Sequence, residues 1–116
     1  MDWDRERYLL SQWHILEFVR IETEEKGRPG VNSTEIIRFF KKKPEWMLVK
    51  INNLLSKQML TTIPGKRGRI YTLSREAKKF MEKYHMTTFL HENNPRLKKS
   101  KMIAEKLRKQ FISVME

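Results

Sequence analysis

The stretch TEIIRFFKKKPEWMLVKINNLLSKQML, residues 34–60, reads as two short helices separated by a tight turn. Asn32 or Ser33 can cap the first helix, and Glu35 sits in its first turn, where a negative charge favours the helix dipole. Ile36, Ile37 and Phe40 point inward, with Phe39 beside them, before Lys41-Lys42-Lys43 interrupts the pattern. Pro44 suits the first position of a new helix, because its missing amide hydrogen costs nothing there. At about 100° per residue, Met47, Leu48, Ile51, Leu54 and Leu55 share one side of that second helix. The other side carries Glu45, Trp46, Val49, Asn52 and Asn53, flanked by Lys50 and Lys57. The inner side is ordinary core. Two apolar residues and two carboxamides on the outer side are unusual for a face that meets only water.

Downstream, Met59–Ile63 and Arg69–Leu73 are β-prone runs separated by Pro64-Gly65-Lys66-Arg67-Gly68, which predicts a hairpin over 59–73 with a cationic tip at 64–69. Ser74 caps a following helix with Ala77, Phe80, Met81 and Tyr84 on its buried stripe. Asn93-Asn94-Pro95 ends it and opens a last helix over 95–115. There Leu97, Ala104 and Phe111 recur every seven residues, with Ser100, Leu107 and Val114 between them, a short heptad-like seam. Upstream, residues 4–26 form a helix whose Leu9, Leu10, Trp13, Ile15, Leu16, Phe18 and Val19 make a broad apolar band, and Gly27-Arg28-Pro29-Gly30 closes it. The whole is predicted as one domain of 1–116, mostly α with a small β-hairpin (α+β), its core at 31–91. No internal repeat is present.

Helix, helix, tight turn, helix, basic hairpin, helix is the plan of a winged helix-turn-helix with extra terminal helices. A helix fits the major groove of DNA, where each base pair shows its own donor and acceptor pattern, and a cationic hairpin reaches the adjacent backbone or minor groove. On that plan Asn52 and Asn53 pair with adenine edges, while Trp46 and Val49 meet thymine methyls or sugars. The bland alternatives are a solvated helix face for the amides and packing of Trp46 on a terminal helix. Lys41, Lys42, Lys43, Lys50 and Lys57 fall to phosphates and fix register without reading bases. Lys66, Arg67 and Arg69 are the wing contacts.

Residues 34–60 resemble the helix-turn-helix unit of the MarR and PadR superfamily, matching it in spacing without a gap. Ile36, Ile37 and Phe40 fall on that family's apolar positions in the bracing helix, and Met47, Ile51 and Leu54 on those of the recognition helix. Met59 and Leu60 match the apolar pair that opens the wing, and Arg69–Leu73 resembles the strand leading to the next helix at Ser74. The similarity covers residues 33–80. Gln58 stands where the family has Gly, and Lys43-Pro44-Glu45-Trp46 replaces its Ser/Thr-rich helix start. The resemblance implies a transcriptional regulator acting as a homodimer, with a small-molecule effector that no residue here identifies.

Charge supports a nucleic-acid partner. Residues 1–35 carry five basic and eight acidic groups, net −3, whereas residues 36–116 carry twenty and six, net +14. Within 96–109 there are seven basic groups and one acidic. An excess so segregated marks a polyanion-binding face that leaves the first helix outside it. With no cysteine there is neither a disulfide nor a thiolate zinc site. His14, His85 and His91 lack zinc-type spacing, and Asp occurs only at positions 2 and 4. No phosphate-binding glycine loop or nucleophile elbow is present, so an enzyme, a metal and a cofactor are not expected. No apolar run approaches a membrane span and MDWDRERY does not resemble a signal peptide, which predicts a cytoplasmic, nucleoid-associated protein, or one in a host's cytoplasm if viral. Abundant Lys, Ile and Met without Cys fits a thermophilic archaeon or one of its viruses. A dimer is expected through Leu9 and Trp13 of the first helix and Leu97, Ala104, Leu107, Phe111 and Val114 of the last, with packing of that seam on its own domain as the alternative. Two rival functions remain: a winged-helix adaptor whose Trp46–Val49 face docks a protein, and an architectural or replication-associated protein that binds DNA without sequence choice.

Overall fold

The computed structural model describes the backbone of residues 2–66, 68–93 and 98–116, and side chains at 5–66, 68–85, 102 and 105–116. Helix α1 runs Asp2–Arg20 and passes into a wider π-helical turn, Ile21–Glu25. The backbone amide of Lys26 bonds the carbonyl of Ile21, and Gly27 ends the segment at φ 71°. The stop at Gly27 is as predicted, but the last turn is not α-helical. Its wider winding turns Glu22 inward, where Lys26 Nζ lies 2.9 Å and Arg28 Nη1 3.2 Å from the carboxylate. Arg28 also forks onto Glu35, with nitrogen–oxygen distances of 2.6 and 2.8 Å. The Arg28 guanidinium holds the Glu35 carboxyl below its ordinary range, and Lys26, then Arg28, does the same for Glu22. This network ties the end of the first helical segment to the start of the next.

Helix α2, Ser33–Phe40, begins with the Asn32 side chain accepting from the Glu35 amide at 2.8 Å, so Asn32 is the cap and Ser33 the first helical residue. Its last residue is followed by Lys41 in a left-handed conformation, φ 54°. Three lysines then lead into α3, Pro44–Ser56, with Pro44 in the first turn. Met47, Ile51 and Leu54 are buried, but Leu48, expected on the inner side, is 40% exposed. It lies at the edge of the stripe and is covered only in part.

The end of α3 explains how a non-glycine residue serves where the resembled family has Gly. Gln58 takes φ 60°. The Met59 amide bonds Leu54 O at 2.9 Å and the Gln58 amide bonds Leu55 O at 3.0 Å, the paired closure of a Schellman motif. Met59 and Leu54 are both buried in the same apolar core, as this motif favours. Two orphan carbonyls are thereby satisfied, which offsets the left-handed strain.

Strands β1, Leu60–Gly65, and β2, Gly68–Leu73, form an antiparallel hairpin in which Leu60 faces Leu73, Pro64 faces Arg69 and Gly65 faces Gly68. The strands extend further toward the tip than predicted, because Pro64 and Gly65 pair instead of turning. A pairing not expected from sequence joins Val31 to Tyr71, with the Val31 amide 3.0 Å from Tyr71 O and the return bond at 2.6 Å. Gly30 allows this approach, since a β-carbon there would stand 2.7 Å from Tyr71 O.

Helix α4, Arg75–Asn93, starts at Ser74, whose hydroxyl accepts from the Ala77 amide at 3.0 Å. Helix α5 spans Lys98–Met115; the predicted cap at Asn94 and Pro95 lies outside the described residues. One core joins Ile15, Leu16 and Val19 of α1 to Ile36, Ile51, Leu54, Leu60, Leu73 and Met81. At one end of it the Trp13 ring meets Phe80, Tyr84 and Phe111 edge-on, at centroid distances of 5.5, 4.8 and 4.9 Å.

That aromatic cluster corrects the expected dimer contacts. Leu9, Trp13, Leu107 and Phe111 are buried within the chain itself, so they present no free surface to a partner. On α5 the buried line runs through Leu107, Phe111, Ile112 and Met115, while Val114, placed on the seam by its heptad position, is 45% exposed. Leu107 and Phe111 of the predicted seam are thus buried, and packing on α1 and α4 adds Ile112 and Met115 to them in place of Val114. Leu97 and the Ala104 side chain lie outside the described residues.

Candidate nucleic-acid interface

Helix α3 is braced from within and open outside. Its buried residues recur at 47, 51 and 54, so the opposite face turns outward at 45, 46, 49 and 52. Trp46 is 59% and Val49 53% exposed, and Glu45 and Asn52 are also exposed. Trp46 is not buried in the core. Its ring lies 5.2 Å from Lys43 Nζ, a cation–π contact between the helix cap and its first turn. The pair orients an indole and an ammonium at the leading end of the helix. Asn52 has no hydrogen-bond partner among the described residues, leaving both donor and acceptor of its carboxamide available.

Asn53 and Lys50 occupy the flank of this face and meet α1 there. Asn53 Nδ2 donates to Tyr8 Oη at 3.4 Å, and Lys50 Nζ stands 5.7 Å from the Tyr8 ring centroid. Burial, and then repulsion from Lys42, pushes the Lys50 ammonium below the ordinary lysine value. Tyr8 was not legible as a site residue, because the contact joins positions 45 apart in sequence and an exposed tyrosine on an apolar helix gives no local signal.

Lys41, Lys42, Lys43 and Lys57 are all exposed. The left-handed residue Lys41 and the extended backbone of Lys43, φ −61° and ψ 134°, turn the chain sharply between α2 and α3, leaving three adjacent cations on a short connector. On the hairpin, Lys66 and Arg69 are exposed and Gly68 takes φ 118°; Arg67 lies outside the described residues. The structure thus brings Trp46, Val49 and Asn52 together on one uncovered surface, places Asn53 and Lys50 at its edge, and puts Lys66 and Arg69 at the end of the hairpin.

Comparisons with protein-family models, curated proteins and solved structures give no match.

Two further features bear on chemistry. Glu17 receives the Trp13 indole N–H at 3.1 Å, and His85 Nε2 lies 2.9 Å from both of its oxygens, so this histidine and carboxylate are engaged with each other. Among the described residues no group of three or more His, Asp or Glu side chains is placed to hold a metal. No described helix is long and apolar enough to cross a membrane.

Proposed function

We propose that this chain binds double-stranded DNA with sequence preference and acts as a transcriptional regulator. Helix α3 enters the major groove and the hairpin tip engages the backbone or minor groove. One observation carries the reading: a helix fixed by fully buried Ile51 and Leu54 presents an uncovered outer face with Trp46, Val49 and Asn52, bordered by exposed lysines. In this arrangement Asn52 pairs bidentately with adenine, an interaction worth about 1–3 kcal/mol of discrimination. Lys41, Lys42, Lys43, Lys50 and Lys57 neutralise phosphates and set register. Lys66, Arg67 and Arg69 add contacts from the wing. The segregated charge, net +14 beyond residue 35, supports the same partner.

Selection from a pool of random duplexes, followed by competition with bulk DNA, tests this reading. A regulator prefers its selected site by about 10³-fold or more. A preference near unity makes the protein architectural and defeats the sequence-reading role. Replacing Lys66 by Ala lowers the slope of log K against log salt by about 0.9 if that ammonium contacts a phosphate. A second reading, a protein-docking adaptor, rests on the apolar exposure of Leu48, Val49 and Trp46 on one helix. It requires weak DNA binding at physiological salt.

A further inference from the structure

Helix α1 sits at the centre of the fold, with α3, α4, α5 and β2 all packed against it, yet one of its faces stays open. Arg7, Leu10, Ser11, His14, Phe18 and Ile21 recur there at spacings of three and four, so they follow one line along the helix. Arg7 and His14 are exposed, and Leu10, Ser11 and Ile21 are half-buried. Phe18 lies under the stacked ring of Phe39, which is itself 61% exposed. Two open hollows run along this line and share His14 as a wall. The one toward the start of the helix also has Glu6, Arg7 and Arg108 around it, two cations against one carboxylate. The one toward its end has Phe18, Ile21 and Phe39 among its walls, with Glu17, Glu22 and Lys26, two carboxylates against one cation. Arg7 and Arg108 make no ion pair among the described residues.

These features are ordered symmetrically about His14. Half a turn about an axis through His14, at right angles to the helix, puts Arg7 on Ile21, Leu10 on Phe18 and Ser11 on Glu17, because each pair is equidistant from position 14. The cationic end of the face thereby falls on its anionic end, and the half-buried Leu10 on the ring stack. We propose that a second copy of this chain docks antiparallel on this face of α1, with the two-fold axis at His14. Self-complementary contacts of this kind close on themselves as a dimer. From Arg7 to Ile21 the helix rises about 21 Å, and a strip about 10 Å wide covers about 200–300 Å² per copy, short of the roughly 1,000 Å² in total that a stable interface clears. The pairing is therefore weak. The free chain stays monomeric up to about 100 μM, and pairs where a duplex holds two copies at an effective concentration of about 1 mM. Tyr8, which meets α3, lies about 120° around α1 from His14, so the second copy docks away from α3. The pairing itself is independent of the DNA-binding reading; its enhancement by DNA rests on that reading.

The chain has no cysteine, so single introduced thiols report the contact. On the axis, His14→Cys meets its own copy and forms a disulfide under mild oxidation, whereas Arg7→Cys on the same face lies about 21 Å from its own copy and does not. A mixture of Arg7→Cys and Ile21→Cys forms the cross-link that neither makes alone. A thermal melt checks that each variant folds. With about 1 mM free chain, His14→Cys is expected to cross-link at least about tenfold faster than Arg7→Cys. With about 1 μM chain, the selected duplex raises the His14→Cys rate by about tenfold or more. Arg7→Glu turns two symmetric attractions into repulsions, and lowers cooperativity between copies on that duplex by about three- to tenfold while leaving half-site affinity unchanged. Equal rates for His14→Cys and Arg7→Cys in free chain mean collision or a parallel pair and overturn the proposal, as does cooperativity that Arg7→Glu leaves unaltered. A preferred duplex that fails to speed the cross-link removes the coupling to DNA. If the free chain cross-links as expected but prefers no duplex, the pairing stands and the regulator reading fails.

Discussion

Replacing Phe111 by Ala asks whether α5 is held by its own domain. The side chain has no exposed surface, and its ring lies 4.9 Å from Trp13 at 85° and 6.4 Å from Phe80. Truncating a buried Phe costs about 3–5 kcal/mol, and the edge-on contact with Trp13 accounts for about 0.5–1.5 of it. A domain of this length is stable by about 6–17 kcal/mol, so the loss is large but leaves a folded protein to measure. With a urea slope of about 1–3 kcal/mol per molar, the unfolding midpoint falls by about 2 M. Phe111→Leu keeps most of the volume and loses the ring edges, so its midpoint falls between the two. Because the contacts are within one chain, midpoints of both wild type and variant stay constant from about 1 to 100 μM protein, whereas a helix docked on a partner gives a midpoint that rises with concentration. A rising midpoint, or a loss below about 1 kcal/mol, would refute the packing described here and return Leu9, Trp13 and Leu107 to an intersubunit surface.

Three other outcomes follow from particular residues. Gln58→Gly removes left-handed strain of about 1–2 kcal/mol but adds about 0.5–1 of unfolded-state entropy, so calorimetry should show a net gain of about 0.5–1 kcal/mol. Gln12 is fully buried and neither of its carboxamide atoms has a partner among the described residues, so Gln12→Leu raises stability by about 1–3 kcal/mol in chemical denaturation. The carboxylates of Glu22 and Glu35 titrate below their ordinary value of 4.5 in the folded state. The stability they contribute is complete above that pH and drains as pH falls through the lowered values, so Arg28→Ala moves the start of acid unfolding, followed by circular dichroism, to higher pH.

The elements whose local chemistry agrees with their packing were readable from sequence. Asn32, Pro44 and Ser74 announce helix starts by what their own atoms can do, and the structure uses each in that way. Residues 47, 51 and 54 satisfy a helical period that only a buried side requires. Failures arose where a neighbour far along the chain decides. Leu48 belongs to the apolar stripe by angle, yet its neighbours cover it only in part. The last helix offers apolar residues at both four- and seven-residue spacings, and only α1 and α4 determine that Ile112 and Met115 go inward and Val114 does not. Val31 is a one-residue strand, too short for any alternation to show. At the candidate site, the exposed face of Trp46, Val49 and Asn52 was legible because the opposite side so plainly demanded burial. Tyr8 was not, since nothing around position 8 indicates a partner at 53.

The hairpin is a small sheet whose two outer edges are treated differently. Along β2, Val31 occupies the edge at Tyr71. Along β1, Pro64 sits opposite Arg69 with no amide hydrogen to offer any incoming strand. Lateral growth is therefore obstructed on one side by the chain itself and on the other by an imino acid, next to exposed cations that repel a second copy. A hairpin with a cationic end is in this way kept from stacking with its own kind, and concentrated protein should resist fibril formation through this segment.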